Sequence, residues 1–298
     1  MDVAHLELLR ELSVRGSLTA VAAATHRTPS ALSQQLRTAE REVGVALVER
    51  VGRGLRLTAE GQLLADSADE VGAVLAGVQA RLDALRGRPA GVVGIGTLPS
   101  AGTALLPALV ERLRGTEIRV ELDDLDLAEA DYAARTVDHD VVVGHSLTGD
   151  FPLGSDGLAR RVLAREPIDV ALPAGHPLCG HDRLRPEHLR GTTWVGVPVG
   201  YPFDTVLLAV EQALDEPLRR AVRIRDNQLA AALVRAGVGL ALLPRFTTAT
   251  GDGMVTRPLD GVHARRSLAA LCRPDRYARL AVRTVVDELA AIGAALEG

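Results

Sequence analysis

The chain has 298 residues, of which 47% are hydrophobic and 24% charged, a composition typical of a globular protein with two or three domains. Its net charge of −4 excludes a surface that is basic throughout, and its two cysteines, Cys179 and Cys272, exclude a disulfide scaffold and favour a reduced compartment. The first residues lack the pattern of a secretory signal and no apolar run reaches the length of a membrane span, so we expect a cytoplasmic protein without a membrane partner.

The beginning of the chain predicts three helices separated by capping residues. Apolar residues at helical spacing predict the first helix over 2–15. Ser17 is a good N-cap for an alanine-rich second helix over 18–25, and Thr28 caps a third helix over 29–43, which a proline opens. Two short helices at this spacing, the second opening with small polar residues, are typical of a helix-turn-helix that enters the DNA major groove.

Residues 47–57 predict a strand, a tight turn at Arg53-Gly54 and a returning strand, which together form a wing. From Arg27 to Arg56 the charges sum to +3, so a locally basic face stands on an acidic protein. We expect Arg53, at the tip of the wing, to reach the minor groove, whose negative potential attracts arginine. The alternative is an arginine on an exposed turn.

From Thr58 to about Leu85 the sequence predicts one long amphipathic helix. Its apolar residues alternate at spacings of four and three, which is a heptad seam typical of pairing between two long helices. We expect this helix to hold two copies of the chain together, the alternative being packing against the chain's own C-terminal domain. The seam consists of Leu64, Ala68, Val71, Leu75, Val78, Leu82 and Leu85.

Beyond a linker at 87–91, predicted strands alternate with predicted helices. Such alternation is typical of an α/β domain with a mostly parallel sheet. The remaining 200 or so residues suffice for two lobes, with a crossing near 160 and a return near 265. Strands are predicted at 91–96, 118–122, 141–144, 168–173, 193–197, 222–225 and 239–243, and helices from 97 to about 114 and near 127–137, 204–215, 227–236 and 276–296.

The chain resembles the LysR-type transcriptional regulators. The phrases GSLTAVAAA, SALSQQL and LTAEG carry the resemblance in the first 64 residues, and AGHPL and GVGLALLP support it further along. The family usually has glutamine just after the cap of the recognition helix, where this chain has Pro29.

The resemblance implies a multidomain protein that combines an α part with an α/β part. Its expected parts are a winged helix-turn-helix over 1–58, a linker and dimerisation helix over 59–88 and an effector domain of periplasmic-binding-protein type over 91–298. The first lobe of that domain takes about 91–161 and 265–298, and the second about 162–264. The resemblance further implies a homodimer or homotetramer that binds double-stranded promoter DNA and responds to a small molecule.

The outward face of the predicted recognition helix carries the candidate DNA contacts. A glutamine can bind an adenine edge and an arginine a guanine edge, whereas serine is less selective or binds phosphate. We expect Ser33 and Gln34 to contact base edges or backbone and Arg37 to contact phosphate. With the residues at the helix starts and the wing, the expected DNA-binding residues are Ser17, Thr19, Thr28, Ser30, Ser33, Gln34, Arg37 and Arg53.

Ligands of open α/β sheets bind beyond the carboxyl ends of strands, where helix N-termini point. Helix N-termini favour an anion, so the preferred effector is a carboxylate. Ser100 is the strongest candidate to contact it, and each of the others is equally well explained as a cap or a surface loop. The loops concerned supply Thr97, Ser100, Ala101, His145, Ser146, Tyr201 and Asn227.

The sequence leaves two alternative functions open. A metal-responsive regulator would use His176, Cys179, His181 and His188, which lie within 13 residues but match no established ligand spacing. The other alternative is a solute-binding or enzymatic α/β protein with a vestigial DNA head, although no nucleotide-binding loop, nucleophile elbow or metalloprotease motif is present. We therefore expect neither an enzyme nor a cofactor. The effector, the operator, the sign of regulation and the choice between dimer and tetramer stay open.

Overall fold

The computed structural model describes most of the chain, and Arg53 of the predicted wing tip lies outside the described residues. These are residues 2–25, 27–52, 54–86, 89–125, 129–248, 251 and 253–297. None of the helices in these ranges combines the length and the apolarity that a bilayer crossing requires.

The N-terminal part forms the predicted winged helix-turn-helix, here called the head. Ser17 accepts a hydrogen bond from the N–H of Ala20, and Thr28 accepts one from the N–H of Ala31, so both residues are the expected N-caps. The two wing strands pair antiparallel, with Val48 opposite Leu57. The head consists of α1 (Val3–Arg15), α2 (Leu18–Ala24), α3 (Pro29–Val43), β1 (Val48–Val51) and β2 (Gly54–Leu57).

Helix α4 (Ala59–Arg86) follows the head as one continuous helix of 28 residues, as predicted. The structure divides its heptad seam into two parts. Leu64 packs against the core of the head and Ala68 is buried, so these two side chains pack within the chain itself. The second half is open to solvent: Leu75, Val78, Leu82 and Leu85 are all exposed.

The first lobe of the C-terminal domain, lobe I, is built on a sheet whose strand order is β6-β11-β5-β3-β4. Strand β3 pairs parallel with β4 and β5, whereas β11 pairs antiparallel with both β5 and β6. Helices α5 and α9 cover it around a core of valine, leucine and isoleucine. The elements are β3 (Ala90–Thr97), α5 (Pro99–Arg112), β4 (Glu117–Asp124), β5 (Val141–Ser146), β6 (Ala159–Pro173), β11 (Arg265–Cys272), α8 (Pro274–Tyr277) and α9 (Leu280–Glu297).

The second lobe, lobe II, uses the other half of β6. Its core surrounds Trp194, which is fully buried. The strand changes partner from β11 to β9 between Pro167 and Ile168, so one strand contributes to both lobes. Lobe II contains β7 (Thr193–Gly196), α6 (Pro202–Leu214), β8 (Arg219–Arg223), α7 (Asn227–Arg235), β9 (Ala241–Pro244) and β10 (Met254–Pro258).

Two predictions about the C-terminal domain were wrong. The main sheet is mixed and not mostly parallel, because β11, which no prediction included, runs antiparallel through its middle. The predicted helix near 127–137 is a pair of short 3-10 turns at Glu129–Asp131 and Ala133–Val137. Local hydrophobic patterns do not distinguish strand directions, which depend on distant partners.

A cluster of four charged side chains, here called the clamp, joins the head and α4 to lobe I. It consists of Arg10 on α1, Asp69 on α4, and Arg273 and Asp275 at the start of α8. Arg273 donates through Nε to Asp275 at 3.0 Å and through Nη2 to Asp69. The Nη1 atom of Arg10 lies 3.8 Å from the Asp69 carboxylate and 3.7 Å from that of Asp275. Positive and negative groups therefore alternate, and the cluster has no net charge.

Candidate DNA-binding face and effector cleft

The exposed face of α3 gathers three of the predicted DNA-binding side chains into one hydrogen-bonded group. Arg37 donates to Ser33 Oγ and to Gln34 Oε1, each at 2.9 Å. Because the Gln34 oxygen accepts from Arg37, its NH₂ group is left to donate outward. Gln34 and Arg37 are exposed and Ser33 is half-buried, so the group presents donors to the surroundings of the helix.

The other predicted DNA contacts lie at the two helix starts. Ser17 and Thr28 are committed to capping, and Ser30 exchanges a hydrogen bond with Thr28 at 3.2 Å. Thr19 is exposed on the first turn of α2. Sequence reasoning left out Arg41, which lies one turn beyond Arg37 on the same face and donates to Thr38. Arg41 follows Arg37 by four positions, and this spacing in the sequence indicates that the two side chains share one face of the helix.

Between the two lobes lies a cavity of about 680 Å³, here called the cleft. Four of the seven predicted effector residues line it: Ser100, His145, Tyr201 and Asn227. Three of the chain's seven aromatic side chains also meet here, which makes the cleft suited to a ligand with an apolar part. Those three are Tyr132, Tyr201 and Phe203.

The other three predicted effector residues do not line the cleft. Thr97 is buried and donates to the carbonyl of Leu98. Ala101 is fully buried in the core of lobe I. Ser146 accepts hydrogen bonds from the N–H groups of the turn that follows it. All three positions were chosen from their place after a strand, which does not determine which way a side chain points.

A buried ion pair contributes to the wall of the cleft in lobe I, where Arg266 lines the cavity and Glu166 lies behind it. Glu166 is fully buried and accepts from Arg266 Nε at 2.8 Å, while Arg266 Nη2 lies 2.6 Å from the same carboxylate. Arg266, 2% exposed, also donates to Ser100 Oγ at 2.9 Å. The other oxygen of Glu166 accepts from the N–H of Phe246. Sequence reasoning missed both charged residues, which lie a hundred positions apart in the chain.

His145 lies on the same wall in its neutral form. Burial lowers its pKa to about 3, and the positive charge of Arg266 acts in the same direction. Its ring meets Tyr132 edge to face, with the ring centres 5.8 Å apart. Its Nδ1 atom is buried and finds no hydrogen-bond partner among the described residues. A buried polar atom of this kind is costly unless something satisfies it.

The wall of the cleft in lobe II is formed by the starts of α6 and α7. Asp226 caps α7 by accepting from the N–H of Leu229 at 2.6 Å, which leaves Asn227 as the first helical residue and not the cap. Tyr201 precedes α6 without a capping hydrogen bond from its side chain, and the guanidinium of Arg225 lies 4.6 Å from the centre of its ring. The positive end of α6 therefore lies at the cleft without a capping side chain.

The histidines and the cysteine of residues 176–188, the alternative metal site, make contacts other than those of a ligand set. The ring nitrogens of His176 and His188 accept from backbone N–H groups, and His188 stacks on His181 with ring centres 4.3 Å apart. Cys179 donates towards the carbonyl of Pro173. Within the described ranges no group of three or more potential ligand residues converges on one point.

Two family models match the chain and together cover nearly all of it. The model described as "LysR substrate binding domain" matches residues 86–293, which include the cleft. The model described as "Bacterial regulatory helix-turn-helix protein, lysR family" matches residues 3–62, which contain the whole head and the start of α4.

Curated relatives and solved structures agree with this. A probable RuBisCO transcriptional regulator of Trichormus variabilis is 22% identical over 96% of this chain and 86% of its own length. The transcriptional activator protein LysR of Escherichia coli K12 is 25% identical over 86% and 82%. A full-length OxyR variant from Pseudomonas aeruginosa has a TM-score of 0.68 at 19% identity, covering 97% of this chain and 94% of that one. The full-length regulator CbnR, solved with its target DNA, has a TM-score of 0.54 at 20% identity, covering 97% and 100%.

Proposed function

This chain belongs to the LysR family of bacterial transcriptional regulators, and we propose that it binds promoter DNA through α3 and the wing under the control of a small molecule in the cleft. The observation that carries the proposal is the combination in one chain of an exposed donor-rich helix and an enclosed cavity between two lobes. As a protein that acts on chromosomal DNA, it belongs in the cytoplasm. Its task is to bind and not to catalyse a reaction.

In the proposed DNA complex, α3 lies in the major groove. Ser33 and Gln34 contact base edges or backbone, and Arg37 moves from them to a phosphate. The N–H groups at the starts of α2 and α3 face neighbouring phosphates, with Ser17 and Thr28 holding those starts in place. For Arg53, which lies outside the described residues, the proposed contact is the minor groove.

We further propose that the chain acts as a homo-oligomer held together through the second half of α4. Leu75, Val78, Leu82 and Leu85 are exposed there at heptad spacing, together with Val74. A stripe of large apolar side chains on a long helix is stabilised when a second copy covers it. Two heads then lie on two half-sites of the operator.

The test of DNA binding is fluorescence anisotropy with the protein's own upstream intergenic DNA and a scrambled duplex, across a salt series. We expect tighter binding to the upstream DNA and a steep salt dependence. Arg37→Met should weaken binding at least about tenfold and reduce the salt slope by about one for each bound head, that is by about two for a dimer, because one phosphate contact is lost per head. Arg114→Met is the matched control, since Arg114 is an exposed arginine on lobe I. Equal affinity for both duplexes, or equal effects of the two substitutions, would overturn the proposal.

A further inference from the structure

We propose that Glu166 is a positioning residue that makes the cleft selective for a carboxylate, acting through Arg266 and Ser100. This inference rests on the proposed function, because it specifies the chemistry of the effector. Glu166 lies in β6 next to the point where that strand crosses between the lobes, and it does not itself line the cleft. It acts by fixing the side chain of Arg266, which does line the cleft.

The first step is the orientation of Arg266. Glu166 Oε2 accepts a hydrogen bond from Arg266 Nε at 2.8 Å and lies 2.6 Å from Arg266 Nη2, while Oε1 accepts from the N–H of Phe246, so the carboxylate is itself fixed and holds the guanidinium through one oxygen. Both side chains are almost completely buried, which excludes water as a competing partner. The Nη2 atom of Arg266 also donates a hydrogen bond to Ser100 Oγ at 2.9 Å.

The second step is the direction of the Ser100 hydroxyl. Since its oxygen accepts from Arg266, its own proton must be donated elsewhere. In the described part of the chain no acceptor takes that proton, and Ser100 lines the cleft. The backbone N–H of Ser100 is the first free one of α5, because Pro99 has none and Leu98 provides no side-chain cap. Ser100 therefore offers two donors at the positive end of a helix.

The third step is the kind of ligand that satisfies such a wall. A carboxylate accepts only, so both of its oxygens match the donors, whereas the NH₂ group of the isosteric amide would face them. Asp124 lines the same cavity, but it is exposed and solvent screens its charge. Across the cleft, Arg225 and Arg235 line the wall together with Asp226, so that wall carries a formal charge of +1 and favours an anion in general. The charge of Arg266 is balanced by Glu166, so the part of the selectivity that depends on Glu166 comes from hydrogen-bond direction.

The experiment measures the ratio of dissociation constants for matched pairs of probes by calorimetry. The probes are acetate, butyrate, succinate, benzoate and phenylacetate, each paired with its primary amide. We expect at least one acid to bind about tenfold or more tightly than its amide. Ser100→Ala should bring this ratio close to one while leaving the fold intact, because it removes only the oriented hydroxyl.

Glu166→Gln alone would leave Arg266 buried without a counter-charge and can fail to fold. The informative variant is therefore the double substitution Glu166→Gln with Arg266→Gln, which removes both charges and should also bring the ratio close to one. The control is Asp169→Asn with Arg245→Gln. That pair is another carboxylate–arginine ion pair anchored in β6, with Asp169 buried, and it does not line the cleft. It should leave the ratio unchanged.

The inference is overturned if no acid of the panel binds, if each amide binds as well as its acid, or if the ratio survives in the double variant. Anisotropy on the same preparations separates this result from failure of the proposed function. Specific DNA binding without selective carboxylate binding overturns the inference alone, whereas loss of specific DNA binding by the unaltered chain overturns the proposed function.

Discussion

Substitution by alanine at two glycines of α4, Gly61 and Gly77, should change the stability of the chain in opposite directions. A Cβ atom at Gly61 would lie 2.1 Å from the carbonyl oxygen of Leu47, a backbone atom that cannot rotate away. That oxygen also accepts from the N–H of Thr58 at 3.1 Å, so its displacement weakens the joint between the wing and α4. Overpacking costs about 1–3 kcal/mol and the hydrogen bond about 1 kcal/mol, against a gain in helix propensity of at most about 1 kcal/mol. We expect Gly61→Ala to destabilise the head by about 2 kcal/mol.

Gly77 has no atom within 4 Å of the corresponding position. Gly77→Ala should therefore add only helix propensity and stabilise by about 0.5–1 kcal/mol. The two variants make the same chemical change in the same helix, so the expected difference of about 3 kcal/mol measures the close contact at Gly61.

The assay is urea denaturation of the full chain followed by far-ultraviolet circular dichroism, with DNA anisotropy on the same samples. Fluorescence of Trp194, the one tryptophan of the chain, reports on lobe II and should be unchanged in both variants. If Gly61→Ala proves neutral or stabilising, the contact between α4 and Leu47 is not as close as described and the reasoning is refuted.

Three further predictions concern the cleft, α4 and the clamp. Burial lowers the pKa of His145 to about 3, so below pH 6.5 the unfolded chain binds a proton that the folded chain does not. The free energy of unfolding should therefore fall by about 2 kcal/mol between pH 7 and pH 5. His145→Gln should flatten this dependence when denaturation is measured against pH. Leu75→Asp with Leu82→Asp should shift the mass in light scattering towards the monomer, and an unchanged mass would place the oligomer contact elsewhere. Arg273→Met should leave the carboxylates of Asp69 and Asp275 to share Arg10 and should increase hydrogen exchange in α8. Adding Asp69→Leu should reverse that increase. No change in exchange would mean that the clamp does not hold the head.

The head was predictable because its signals are local. Ser17 and Thr28 occupy cap positions that the structure confirms, and the spacing of apolar residues gave the extents of α1 and α3 closely. Each of these features depends on residues within four positions of one another. The continuous α4 was predictable for the same reason.

The cleft was only partly predictable, because its wall is assembled across the chain. Ser100 and Tyr201 precede or open helices that follow strands, and a topological rule places such residues at a ligand site. Arg266 and Glu166 come from strands whose pairing the sequence does not reveal. The same limit applies to the heptad seam, where only the tertiary structure separates the packed Ala68 from the exposed Leu82.

The alternating charges of the clamp limit the distance over which it attracts the head to lobe I. Two positive and two negative groups alternate within it, so their fields cancel beyond a distance comparable to their own spacing. The interaction is strong only when Arg10 and Arg273 are seated against the carboxylates of Asp69 and Asp275. Water and salt screen these charges, so the clamp attracts the head only over a few ångströms, as does the neighbouring ion pair between Arg15 of α1 and Asp138 of lobe I. The clamp therefore fixes the head by contact and contributes little attraction from a distance.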